Sequence, residues 1–191
     1  FHLALVLHDR GQKAEATETM ELVLKKNPSN PDALNYVAYE LAEQGTDLPR
    51  AEDLVNRALQ IRPSDGYYLD TLGWIQYKQG KMADAEQSLA RAVSASGDDL
   101  VIVEHYIEIL IAQGKSNKAV AVMKAVVEQA PKDELADDED RAKVLQRIQE
   151  RLKQILREHP ELQSVEKTPM KRASAAGRQY SQVDQMILDD F

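Results

Sequence analysis

Apolar residues along this chain fall on helical spacings that break at regular intervals. Over residues 66–99, Leu69, Leu72, Ile75 and Tyr77 predict one helix, and Met82, Ala85, Leu89, Ala92 and Val93 predict a second. Gln79-Gly80-Lys81 separates them, with Gly80 suited to a left-handed turn closing the first helix. The unit then recurs. Gly11, Gly45, Gly80 and Gly114 stand 34 or 35 residues apart, and Ala16, Ala51, Ala85 and Ala119 follow them in step. Pro28, Pro63, Gly97 and Pro131 close each unit with a helix breaker, and Leu3, Val37, Leu72 and Tyr106 form a fourth register ahead of each glycine. A period of this length implies an all-α solenoid, because one helix pair cannot bury its apolar face alone and must stack on its neighbours.

The registers divide the chain into a truncated unit at 1–30 and full units at 31–65, 66–99 and 100–133. The second unit carries one extra residue in its turn, TDLPR, where Asp47 can cap the next helix and Pro49 can sit in its first turn. Gly73 and Ala85 are small where two antiparallel helices would cross, so close approach is expected there. Ile107 replaces the small residue in the last unit, which predicts a looser or re-angled pair.

Residues 134–160 read as one longer helix that caps the array. Leu135, Leu145, Ile148, Leu152, Ile155 and Leu156 make its apolar stripe. Asp137, Asp138, Glu139 and Asp140 stand at its start and Arg151, Lys153 and Arg157 near its end, which complements the helix dipole. His159-Pro160 ends it. Periodicity is lost from Glu161, so 161–177 reads as linker. In 178–191, Tyr180, Val183, Ile187 and Phe191 recur at helical spacing. That segment is either a docking helix, on this array or on a second copy, or a tail with accidental periodicity.

The repeat resembles the tetratricopeptide repeat. Leu72, Gly73, Gly80, Ala85, Leu89 and Ala92 match its pattern in the third unit, and Ala38, Tyr39, Gly45, Ala51, Ala58 and Pro63 do so in the second. Trp74 and Tyr77 are displaced from the family's aromatic positions. The resemblance covers residues 1–133 and implies a right-handed superhelix whose first helices line a concave face. Mapped residue by residue, that face comprises Leu5 and His8, then Asn35, Tyr39 and Ala42. It continues with Tyr67, Asp70, Trp74 and Tyr77, and ends with Val101, Glu104, Glu108 and Ile111. Asp70 and Trp74 stand where the Lys and Asn of the family's carboxylate clamp would be, so a receptor for acidic chaperone tails is not expected. Tyr39, Trp74 and Tyr77 are either interface anchors or packing between repeats.

More narrowly, ALNYVAYELAEQG followed by SDGYYLDTLGWIQYKQGK is similar to repeats of proteobacterial cell-envelope tetratricopeptide proteins. Some of these are outer-membrane lipoproteins that act as adaptors for periplasmic proteases or envelope machinery. The resemblance implies a non-enzymatic scaffold binding a protein or peptide on its concave face. The alternatives are a substrate-delivery or regulatory subunit of such a protease, or a homo-oligomeric subunit docking through its C-terminal segment. It leans towards the periplasm or cell envelope, with the cytoplasm as the alternative.

Composition narrows the chemistry. A net charge of -8 and a pI near 5.1 argue against a nucleic-acid partner, since neutralising phosphates needs clustered Lys and Arg. Without cysteine there is no disulfide and no thiolate ligand or nucleophile. No apolar run approaches the ~20 residues that span a bilayer, so no direct membrane insertion is expected of this piece. The chain starts at Phe1, inside a repeat, which suggests the C-terminal part of a longer protein. His2, His8, His105 and His159 lack metal-ligand spacing; His2 and His8 sit about 240° apart around a helix. His105, beside Glu104, is read as helix surface or inter-repeat packing. The acidic run 137–140 lacks the alternation and glycine of a calcium loop. No catalytic residue, cofactor or metal site is expected.

Overall fold

The computed structural model describes residues 2–96, 99–129 and 138–167. Within them lie α1 (His2–Asp9), α2 (Lys13–Lys26), α3 (Pro31–Gln44), α4 (Leu48–Ile61) and α5 (Gly66–Lys78). They are followed by α6 (Met82–Ser96), α7 (Leu100–Ala112), α8 (Ser116–Gln129), α9 (Glu139–Glu158) and a 3-10 turn (Pro160–Ser164). Leu135 and the whole segment from Tyr180 to Phe191, with Val183 and Ile187, lie outside the described residues. So does the self-association assigned to that segment.

The turns follow from the glycine register. Gly11, Gly45, Gly80 and Gly114 all take left-handed φ values of 64–77°. At each, the glycine N–H and the next N–H fold back onto the last helical carbonyls, as in Gly80 to Tyr77 (2.9 Å) and Lys81 to Gln76 (2.9 Å). The helix starts hold a further register that sequence analysis did not extract. The side chains of Asn30, Asp65 and Asp99 each accept from backbone N–H groups at the starts of α3, α5 and α7. Each such cap is worth about 1 kcal/mol. Asp47 and Asp138 cap α4 and α9 in the same way.

Helices pair as α1/α2, α3/α4, α5/α6 and α7/α8, and the alanine of every unit is fully buried at the crossing. The closest apposition is α5 on α6, where a Cβ on Gly73 would stand 2.6 Å from Leu89 Cγ. α7 and α8 meet over a smaller zone, with Ile107 buried between them, as its bulk predicts. One core cluster runs from Ala4 to Ile75. A second spans Ala85 to Leu162 and takes in Val144, Leu145, Ile148 and Ile155 of α9.

The reading of 161–177 as linker needs correction at its start. Leu162 of the 3-10 turn is buried in the second core, and Lys124 Nζ donates to the carbonyls of Gln163 (2.7 Å) and Val165 (2.9 Å). Pro160 ends the α-helix without ending the fold, because a 3-10 turn still delivers an apolar residue to the core.

First and second helices of the pairs do different work. α3 packs on α5, α5 on α7 and α7 on α9, whereas α2, α4, α6 and α8 make no comparable approach to one another. The first helices therefore lie on the inside of the curve. The outer helices are tied by charge instead. Glu21 pairs with Arg50, Glu52 with Lys81 (3.0 Å), and Glu86 with Lys115 and Lys118 (2.7 Å to Lys118). Arg57 and Arg91 donate to the carbonyls of Pro28 and Pro63 in the preceding unit.

Candidate partner-binding face

α5 places Asp70 and Trp74 one turn apart on its inner side, and each reaches a neighbouring inner helix. Both are only 7% exposed. His105 of α7 sets Nδ1 2.9 and 3.1 Å from the two carboxylate oxygens of Asp70. Facing an acceptor-only carboxylate, that nitrogen carries the proton and donates. The same imidazole stacks on Trp74, with centroids 4.7 Å apart and planes at 19°. On the other flank, Trp74 Nε1 donates to Glu43 Oε1 of α3 at 2.6 Å. Tyr77 packs against the indole at 5.3 Å, and Lys78 Nζ lies 4.7 Å from its ring centre. One tryptophan thus joins α3, α5 and α7.

Carboxylates set the electrostatics of this joint. Tyr39 is pushed up to about 12, first by burial and then by Glu43, Asp70 and Glu40. Burial raises the Asp70 carboxyl above its ordinary value, with His105 pulling the other way. Burial also lowers His105, but the bond and charge of Asp70, with Glu108 and Glu104, outweigh it. The net effect holds the His105 imidazole above its ordinary value, so the Asp70 bond favours its protonated form.

The structure separates the expected groove residues into three kinds. Asp70, Trp74 and Ala42 are buried, and Tyr39, Tyr77 and Ile111 are half-buried around the joint. Glu104 accepts two bonds from Arg147 of α9 (2.8 and 2.6 Å), so it ties two helices together. Tyr67, Val101 and Glu108 are exposed. Towards the N-terminus, Leu5 and His8 are half-buried, His8 Nδ1 lies 3.0 Å from Tyr36 Oη, and the buried Asn35 Oδ1 has no hydrogen-bond partner. Glu43 and Lys78 were missed in the sequence. A signal existed: Glu43, Trp74 and His105 are successively 31 residues apart, one repeat less one helical turn, which is a diagonal across neighbouring inner helices.

Among the described residues no cluster of three His, Asp or Glu could hold a metal ion, and no helix is long and apolar enough to cross a membrane. What the face offers is shape, aromatic area and negative charge.

Comparison with known proteins agrees with this architecture. Two tetratricopeptide repeat family models match, one over residues 1–66 and the other over residues 76–138. A TPR repeat-containing protein of Pseudomonas aeruginosa is 35% identical over 95 residues, which is 50% of this chain but only 16% of that protein. With stacked helix pairs, left-handed glycine turns and inner helices in contact across units, the chain belongs to the tetratricopeptide repeat family.

Proposed function

We propose that the inner face of α3, α5 and α7 docks a protein or peptide partner and that the chain acts as an adaptor without chemistry of its own. Tetratricopeptide arrays are protein–protein interaction scaffolds, generally non-catalytic, and this chain carries such an array. The observation that carries the reading is the pair Tyr67 and Val101. They are the second residues of α5 and α7, one repeat apart, and stand 40% and 45% exposed. A tyrosine edge and a valine in register offer an apolar strip beside a joint that is already rigid. Fixed geometry lowers the ordering cost of binding. Asp70, Trp74 and Glu104 support the face from beneath, and Tyr39 and Tyr77 flank it.

Photo-crosslinking tests the reading in the full-length protein in its own cells. A crosslinker at position 67 or 101 captures the same partner, and one at position 53 on the outer side does not. The exposed-site double variant Tyr67→Ser with Val101→Ser keeps the melting profile and loses the partner tenfold or more, as for the loss of an interface anchor of about 1.4 kcal/mol or more. Capture from position 53 alone, or full retention by the double variant, refutes the inner-face assignment.

A further inference from the structure

We infer that the partner segment received at the Trp74 joint is cationic, with an arginine or lysine side chain taking the place of Lys78 over the indole. The inference rests on the inner-face reading and adds the chemistry of the ligand. Five carboxylates gather here: Glu40, Glu43, Asp70, Glu104 and Glu108, as the surroundings of Tyr39 and His105 record. Three cations face them. His105 is committed to Asp70, and Arg147 to Glu104. Lys78 is exposed, makes no ion pair among the described residues, and rests on the Trp74 ring.

Two exposed carboxylates are left without a cation. Glu43 accepts only the neutral indole N–H, and Glu108 has no ion pair among the described residues. Glu40 is 2% exposed and only loosely paired, with His8 Nδ1 3.9 Å from its Oε1, which has no hydrogen bond. An indole face flanked by unneutralised carboxylates is the arrangement that recognises a guanidinium or ammonium group. Lys78 already occupies that position from within the chain, as an exposed and exchangeable occupant.

Trp74 is the only tryptophan of these 191 residues, so the intrinsic fluorescence of this chain reads the joint alone. The test titrates this 191-residue chain with a synthetic peptide of Arg, Leu and Ala and with its twin carrying Glu for every Arg. The Arg peptide binds, changes the Trp74 emission and weakens as salt rises; the Glu twin does neither. Lys78→Ala tightens the Arg peptide about twofold to fivefold, the worth of one exposed cation–π contact. Glu108→Gln weakens it by about twofold to fivefold. Lys26→Ala removes the same charge from the end of α2 and leaves affinity unchanged. Equal binding of the Glu twin, or equal responses of Lys78→Ala and Lys26→Ala, overturns the cation reading. In that event crosslinking from positions 67 and 101 still decides the inner face separately.

Discussion

Replacing Gly73 by alanine sets two effects of opposite sign against each other, and the structure decides between them. In an open helix interior, Gly→Ala stabilises by about 1 kcal/mol. At Gly73 the added Cβ would meet Leu89 Cγ at 2.6 Å, Leu89 Cδ1 at 3.2 Å and the Ala85 carbonyl oxygen at 3.3 Å. Carbon atoms rest at about 3.5–4.0 Å, so the first contact is about 1 Å too short. Neither neighbour can yield cheaply. Leu89 is fully buried, and Ala85 contributes backbone from the facing helix. Overpacking of this kind costs about 1–3 kcal/mol, so the expected net effect is a loss of about 1–2 kcal/mol.

Urea unfolding followed by Trp74 fluorescence and helical ellipticity measures it, as a lower midpoint at unchanged slope. A double-mutant cycle isolates the cause. Leu89→Ala alone costs about 2–5 kcal/mol, but with Gly73→Ala the sum falls short by about 1 kcal/mol, because the new methyl occupies the space left by Leu89. A stabilised Gly73→Ala, or strict additivity of the pair, refutes the close crossing of α5 and α6.

Two further outcomes concern charge. His105 has its pKa raised in the fold, so its pairing stabilises fully below 6.5 and is lost as pH rises through the folded value. The melting temperature of the native protein should therefore fall from pH 6 to pH 8 relative to that of His105→Gln; parallel profiles refute the buried pair. Glu86 runs the opposite way, held low first by the Lys115 bond and then by Lys118, so its contribution is present above 4.5 and lost on acidification. Glu86→Gln should cost about 0.5–1 kcal/mol at neutral pH and less in high salt, and melts showing no such salt dependence count against the outer bridges.

Helix pairs, turns and the apolar stripe of α9 were legible because each depends on residues within one turn of each other. Gly80 needs only its own φ, and Asp47 accepts from a backbone N–H three residues on. The joint was harder to read. Asp70 reads as a groove residue and Trp74 as either an anchor or packing, and only the lateral stacking of repeats brings His105 and Glu43 against them. Glu104 looked like an open carboxylate for the same reason, since Arg147 comes from a helix 43 residues away. The turn after Pro160 escaped notice because 3-10 geometry leaves no periodic pattern over five residues.

The ladder of outer ion pairs has a mechanical consequence. Each unit grips only the next, so orientation is inherited along the array and a small rotation at one joint swings everything beyond it like a lever. The two edges of that lever loosen under different conditions. Between α5 and α7 the inner edge is held by a buried stack of indole and imidazole that dissolved salt hardly reaches. The outer edge is held by exposed bridges such as Glu52 with Lys81, which mobile ions screen over about 8 Å at physiological strength. At that joint rising ionic strength slackens the outer edge first, and the local curve of the array tightens.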